Sequence, residues 1–129
     1  MKLYTYQTGN DGVDRIGVEC AGWRGMLWPL EAFGLKFSDM HDLICHITPA
    51  QLSRIADAEN ATEGNALRLN SVRLRSPIPH PEQDIICLGI NYADHAVESA
   101  RFHEDAFLLN REKATYFSKR AYETTGSGD

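Results

Sequence analysis

A histidine and a glutamate three positions apart, His95 and Glu98, have a spacing that could do chemistry. In a helix over 94–100, positions i and i+3 lie on one face, within side-chain reach. A carboxylate beside an imidazole favours the charged ring and fixes which nitrogen carries the proton, so the other nitrogen can take a proton from water. This is half of a hydrolytic site. The same spacing also occurs by chance in many helices, so the pair alone leaves both interpretations open.

The segment before this pair favours the functional interpretation. Residues 85–90 are almost continuously apolar, which predicts a strand of the kind that is buried on both faces. Gly89 removes a side chain where a backbone or substrate must approach closely. The strand then delivers Asn91 and Tyr92 to the start of the next helix, where sites of α/β type collect their ligands. Both are therefore candidate substrate-binding residues.

A lysine ends the next predicted strand, residues 115–119. From there the ammonium group of Lys119 could reach the same place and bind a carboxylate or hold an enolate oxygen. A lysine at a strand end is also commonly just solvated. The sequence leaves these two interpretations open.

The chain before these residues alternates between β-prone runs and turn formers, and then takes a helical period. This pattern predicts a small antiparallel sheet with tight turns. The predicted strands are 3–6, 15–20 and 23–28. Ser38 and Thr48 are the predicted N-caps of two short helices. The apolar positions of a further extended segment, 67–74, switch from odd to even at Asn70–Ser71, which predicts a bulge or turn there.

The stretch from Ser76 to Pro81 holds three prolines in five residues and cannot be helix interior or central strand. We interpret it as a stiff connector between two domains; the alternative is a Pro-rich surface loop inside one domain. The predicted organisation is a small β-rich N-terminal domain at 1–75, a Pro-rich linker at 76–83 and the incomplete start of a second domain at 84–129.

The bulk composition excludes several classes of protein. With 129 residues, 43% hydrophobic content and a net charge of −5, a folded core is expected and a nucleic-acid partner is not. Arg68, Arg73 and Arg75 lie close in sequence, and we expect them on the solvated side of an extended segment. The N-terminus lacks a signal-peptide pattern and no apolar run approaches a membrane span. Because the three cysteines are widely spaced, we expect free thiols in a cytoplasmic protein without a membrane partner.

Several segments together carry a resemblance to a known family. Residues 85–98, IICLGINYADHAVE, closely resemble the start of the catalytic domain of the fumarylacetoacetate hydrolase family. Downstream, YFSK at 116–119 is similar to the family's strand that ends in a substrate-facing lysine, and TGSGD at 125–129 resembles its glycine-rich turn. Upstream, residues 68–74 with the linker after them, and the start of the chain, resemble the small N-terminal domain of two-domain bacterial members.

The resemblance implies a fold and a chemistry. The fold would be α+β: a small N-terminal antiparallel β domain with two short helices, followed by the first strands and lid helix of a mixed β-roll catalytic domain. The activity would be metal-dependent hydrolysis of a carbon–carbon bond in β-diketo acids, acylpyruvates or related oxo-acids. His95 and Glu98 would activate water, and Lys119, Asn91 and Tyr92 would bind the substrate.

Other reactions and another class of protein stay open at this point. The family also contains isomerases and oxaloacetate-type decarboxylases, which half of a site cannot distinguish from a hydrolase. Asp94 lies where some longer members place an acid near the metal, and its role is left open. A non-catalytic interaction or self-association module is the alternative from a different class.

The chain departs from the family in one respect. The family holds its Mg or Mn mainly on a Glu-x-Glu strand after the glycine-rich turn, and this sequence ends before such a strand. We therefore expect that this chain binds no metal and that it is inactive alone. The sheet that would cover Ile85, Ile86 and Leu88 would also be missing, so exposed apolar faces and a homo-oligomer are expected.

Overall fold

The computed structural model describes residues 1–56, 65–89, 91–92, 94, 97 and 114–129. The chain divides into two compact units, one made of residues 1–80 with 123–129 and the other of residues 81–122. The first unit combines a curled antiparallel sheet with two α-helices, so the α+β prediction is confirmed.

Five short strands form the sheet of the first unit. They are β1 (Lys2–Gln7), β2 (Arg15–Glu19), β3 (Met26–Pro29), β4 (Leu67–Arg68) and β5 (Arg73–Leu74). Their order is β4-β3-β2-β1-β5, and each neighbouring pair is antiparallel. The third strand begins at Met26 rather than at Trp23, because the residues before it form a turn in which the Gly25 N–H donates to Glu19 Oε1.

β4 and β5 lie at opposite edges of the sheet, although they are neighbours in the sequence. A flat sheet of five strands would hold its edges about 19 Å apart. Most of the link between β4 and β5 is a 3-10 turn, Leu69–Ser71, with a rise of only about 2 Å per residue. The link is too short for a flat sheet, so the sheet curls and its edges approach each other. The interruption predicted at Asn70–Ser71 is confirmed by this turn.

The helical part of the first unit follows β3. It consists of a 3-10 helix (Leu30–Phe33), α1 (Met40–His46) and α2 (Pro49–Ala56). The N-cap of α1 is Asp39, whose side chain accepts from the Asp42 N–H, and not the expected Ser38. Thr48 caps α2 as predicted: its Oγ1 accepts from the Gln51 N–H at 3.3 Å, and Gln51 Oε1 accepts from the Thr48 N–H at 2.9 Å.

One face of the sheet packs against these helices. Ile16 and Val18 alternate along β2, and Trp28 lies opposite Val18 in β3. The three side chains form a buried cluster with Leu43 of α1 and Ile55 of α2. Removing such side chains from water stabilises the fold by about 1.5–3 kcal/mol each. This cluster is the core of the first unit.

The opposite face of β2 is closely packed at Gly17, which lies against the buried Tyr6 and Leu27. A Cβ atom at position 17 would lie 2.8 Å from Leu27 Cγ and 3.0 Å from Tyr6 Cε1. The curl brings these side chains so close to the strand that only glycine fits.

The second unit contains β6 (Ile85–Gly89) and β7 (Thr115–Lys119), which pair antiparallel. The strands predicted at both places are confirmed. Ile86 is 69% exposed, Tyr116 is 68% exposed and Leu88 is 39% exposed. The exposure expected for the apolar side chains of this sheet is therefore confirmed.

Two predictions made from the sequence are not tested by the described residues. The domain limits at 75 and 84 stay predictions, and most of the predicted lid helix lies outside the described residues. Within the described ranges, no helix has the length and apolar character that crossing a bilayer requires.

Candidate functional site

The β6–β7 ladder fixes where Lys119 lies relative to Gly89. Lys119 pairs with Ile85 at one end of the ladder, and Gly89 pairs with Thr115 at the other. Four residues of strand separate the two ends, which corresponds to about 13 Å. The strand pairing alone therefore does not bring the lysine beside the residues that follow Gly89.

Lys119 shares a face of the two-stranded sheet with Phe117, and across the ladder with Ile85 and Cys87. Its Nζ lies 6.0 Å from the centroid of the Phe117 ring. That distance is at the outer limit of a cation–π interaction. Lys119 is exposed, so its ammonium is accessible to an anionic ligand from solvent.

The other predicted site residues follow β6. Asn91 and Tyr92 come directly after the strand end and are both exposed. His95 and Glu98 lie outside the described residues. The convergence of the His95–Glu98 pair with Lys119 therefore stays a prediction.

The glycine-rich segment lies in the first unit, against the proline-rich segment. Thr124 makes the central contacts: its N–H donates to the Pro79 carbonyl at 2.9 Å, and its hydroxyl donates to the Ile78 carbonyl at 2.7 Å. The same hydroxyl lies 2.5 Å from Ser76 Oγ. We call residues 123–129 and their partners at 73–79 the clasp.

Arg75 is the charged centre of the clasp. Its side chain is only 10% exposed, so its expected place on a solvated face is wrong, whereas Arg68 and Arg73 are exposed as expected. Arg75 Nη2 donates to Glu123 Oε1, and Nε lies 3.4 Å from Asp14 Oδ1. These acids are far from Arg75 in the sequence, so no local pattern could have identified the group.

Two carboxyl groups of the clasp have altered acidity. The hydrogen bond from Arg75 lowers the pKa of Glu123 below its ordinary value. The hydrogen bond from Arg73, at 2.8 Å, is the main reason that the pKa of Asp129 is lowered, and the Gly126 N–H adds to it. Both groups therefore favour the charged form that the ion pairs require.

A carboxylate elsewhere in the first unit is also fully engaged. Glu19 accepts from the Gly25 N–H at 2.7 Å and from the Tyr4 hydroxyl at 2.9 Å, and Lys2 Nζ lies 3.7 Å away. The Gly25 hydrogen bond is the main reason that the pKa of Glu19 is lowered. Because its carboxylate joins the β2–β3 turn, through Gly25, to Tyr4 and Lys2 of β1, Glu19 has a structural role.

A metal needs several converging ligands, usually from His, Cys, Asp and Glu. Among the residues that the structure describes, no group of three or more such side chains could hold a metal ion. The described donor set thus does not fit the divalent ion that the resemblance implies.

Comparison with known proteins places these residues in context. No family model matches the chain. The chain is 38% identical over 80 residues to oxaloacetate tautomerase YisK of Bacillus subtilis (strain 168). The match covers 61% of this chain and 25% of the tautomerase, so the chain matches about a quarter of that relative's length. Because the tautomerase is a member of the fumarylacetoacetate hydrolase family, the match fits a relationship to that family.

Proposed function

We propose that this chain is the N-terminal portion of an enzyme of the fumarylacetoacetate hydrolase type that interconverts the enol and keto forms of oxaloacetate or a closely related oxo-acid. The observation that carries the proposal is the 38% identity to an oxaloacetate tautomerase. The resemblance of residues 85–98 to the start of the family's catalytic domain also supports it.

The reaction is a transfer of protons. One proton leaves the enol oxygen on C2, one proton is added at C3, and the C2–C3 double bond becomes a C2–O double bond. In this proposal the imidazole of His95 takes the first proton and returns a proton to carbon, while Glu98 orients the ring. Lys119 binds a carboxylate of the substrate, and Asn91 and Tyr92 donate hydrogen bonds to its oxygens.

Hydrolysis would use the same dyad differently. The base would deprotonate water, the new hydroxide would attack a carbonyl carbon, and a carbon–carbon bond would break with an enolate as leaving group. The decarboxylase alternative would break the bond to a carboxylate instead. Because the relative is an oxaloacetate tautomerase, we favour tautomerisation over hydrolysis. Hydrolysis is then the alternative reaction that an experiment should exclude.

The family's divalent ion, Mg or Mn, would stabilise the enolate oxygen when bound. Among the described residues, no group of side chains could hold this ion. We propose that turnover needs metal-holding carboxylates outside the described residues, and that this chain alone is inactive.

The test follows the ultraviolet absorbance of enolic oxaloacetate as it converts to the keto form. The protein isolated from its own cells is compared with the recombinant 129-residue chain, each with and without added Mg or Mn. We expect the cell-derived protein to accelerate the conversion and the recombinant chain not to. A cell-derived protein without effect would overturn the proposed function. Acceleration by the recombinant chain would overturn only the proposed inactivity.

The alternative as a self-association module has an observation in its favour. Ile86, Leu88 and Tyr116 lie on one face of the β6–β7 sheet and are all exposed. Exposed apolar side chains grouped on one face of a two-stranded sheet favour association with another chain. We therefore propose that the recombinant chain forms a homo-oligomer through this face.

Light scattering after size-exclusion chromatography tests the self-association. We expect a concentration-dependent oligomer in the unmodified chain and a monomer in Ile86→Lys, because a buried lysine cannot replace the apolar contact. The matched control is Ile44→Lys, since Ile44 in α1 is a similarly exposed isoleucine, at 59%. A monomeric unmodified chain, or equal loss of oligomer in both variants, would count against this face.

A further inference from the structure

A groove of about 540 Å³ lies where the turn after β4 meets the turn before β3. Its lining contains two arginines, one asparagine, one glycine and three apolar side chains, and no acidic residue. The lining residues are Arg24, Gly25, Met26, Arg68, Leu69, Asn70 and Leu74. Its size is within the range of small-molecule sites, which hold about 300–1,000 Å³. A pocket lined by arginine without any acid is unexpected on a chain with a net charge of −5.

The two arginines of the groove differ from the other arginines of the first unit. Arg15, Arg54, Arg73 and Arg75 each donate a hydrogen bond to a carboxylate or a carbonyl. Among the described residues, the guanidinium groups of Arg24 and Arg68 have no hydrogen bond or ion pair with a protein group, although the Arg68 backbone carbonyl accepts from the Ser71 hydroxyl. Their guanidinium groups are therefore available to a ligand.

The backbone that carries these arginines is held in place. Arg68 belongs to β4, where it pairs with Met26 of β3. The turn that carries Arg24 is closed by hydrogen bonds from the Gly25 N–H to Glu19 and from the Leu69 N–H to the Gly25 carbonyl, at 2.7 and 2.9 Å. Because the turns are fixed before a ligand arrives, little backbone entropy is lost on binding.

The acid that holds the Gly25 backbone at this groove is already engaged. Glu19, which anchors the turn below Arg24, is committed to Gly25 and Tyr4. Its carboxylate therefore satisfies the backbone of the turn and is not bonded to either guanidinium. The positive charge of Arg24 and Arg68 remains uncompensated by hydrogen-bonded protein groups within the described part of the chain.

We propose that this groove binds a small carboxylate with an apolar body. A guanidinium binds a carboxylate through two parallel hydrogen bonds, and the amide of Asn70 adds a further donor. Met26, Leu69 and Leu74 provide an apolar surface for the body of the ligand. This site is in the first unit and is independent of the function proposed for His95, Glu98 and Lys119.

Titration of the ¹⁵N-labelled chain with benzoate, followed by NMR, tests the proposal. We expect the amide signals of Gly25 and Leu69 to shift with saturation at a Kd of roughly 1 mM, as suits a ligand of this size. Arg24→Gln and Arg68→Gln should each weaken binding at least about 5-fold, because each removes a charged donor. The matched control is Arg120→Gln, which removes the same charge from an exposed arginine of the second unit.

Two further ligands separate the contribution of the carboxylate to binding from that of the apolar ring. Benzyl alcohol, which lacks the carboxylate, should shift the same signals much less, and acetate, which lacks the ring, should bind more weakly than benzoate. Linear shifts without saturation would overturn the proposal. So would equal weakening by Arg120→Gln, or equal binding of benzoate and benzyl alcohol.

Discussion

Replacing His95 with glutamine is expected to lower the rate of oxaloacetate tautomerisation at least about 100-fold in any form of the protein that turns over this substrate. Glutamine keeps the polar character and approximate size of the side chain but cannot take up a proton near neutral pH. If His95 carries the proton between oxygen and carbon, the loss should fall on kcat, while KM changes little.

The control for this variant is His46→Gln. His46 also lies beside a carboxylate, with its Nδ1 2.7 Å from Asp42 Oδ1, but it stands on the exposed surface of α1. Its replacement should leave the tautomerase rate unchanged. A His95→Gln protein with full activity would remove the imidazole from the mechanism, and an equal loss in both variants would indicate a general effect on folding.

Glu98→Gln examines how the pair works together. A neighbouring carboxylate stabilises the protonated imidazole, so its removal should let the ring stay neutral at lower pH. Neutral imidazole is the form that accepts a proton. We therefore expect a lower rate at neutral pH and an acid limb of the pH–rate profile that moves to lower pH. A purely structural glutamate would lower the rate without moving this limb.

Local sequence patterns predicted most of the first unit. The alternation in β1 and β2 and the Thr48 cap of α2 act over a few residues, so they are visible in the sequence, whereas the cap of α1 is Asp39 and not the neighbouring Ser38. The switch of apolar positions at Asn70–Ser71 likewise identified the turn between β4 and β5. The curl of the sheet was not predicted, because it depends on which strands form the two edges.

Contacts between distant residues limited the prediction of the sites. Arg75 was expected in solvent, but it is held by Asp14 and Glu123, which no spacing rule connects to it. The ladder register that pairs Lys119 with Ile85 depends on the path of the chain between β6 and β7, which the sequence does not fix. The role of His95 rests on resemblance and similarity, and its convergence with Lys119 stays a prediction.

Replacing Gly126 with alanine is expected to release residues 123–129 of the clasp from their partners at 73–79. A Cβ atom there would lie 2.7 Å from the Leu74 carbonyl oxygen and 2.9 Å from Arg75 Cα. These are backbone atoms of a paired strand and its continuation, so they cannot move aside as a side-chain tip can. The segment must therefore retreat, and the contacts of Thr124 with Ile78 and Pro79 are lost with it.

Hydrogen exchange at the Thr124 amide measures this release, since that N–H donates to the Pro79 carbonyl at 2.9 Å. Two lost hydrogen bonds at about 1 kcal/mol each should lower its protection about 30-fold. The matched control is Gly128→Asn: no atom lies within 4 Å of a Cβ there, and asparagine tolerates the left-handed backbone at φ 88°. Unchanged protection in Gly126→Ala would show that the close approach does not hold the segment.

The pH dependence of hydrogen exchange at the Thr124 amide provides a second test of the same contacts. Because the folded pKa values of Glu123 and Asp129 lie below their ordinary values of 4.5 and 3.8, their contribution is complete above those values and is lost as the pH falls through the lowered ones. Protection of the Thr124 amide in the unmodified chain should therefore fall in that acidic window. In Gly126→Ala we expect the ion pairs that Arg73 and Arg75 make with Glu123 and Asp129 to be broken at every pH, so the same acidification should change the protection little. A variant that keeps the full pH dependence would mean that the ion pairs form without the glycine contact, and that charge rather than close packing fixes this segment.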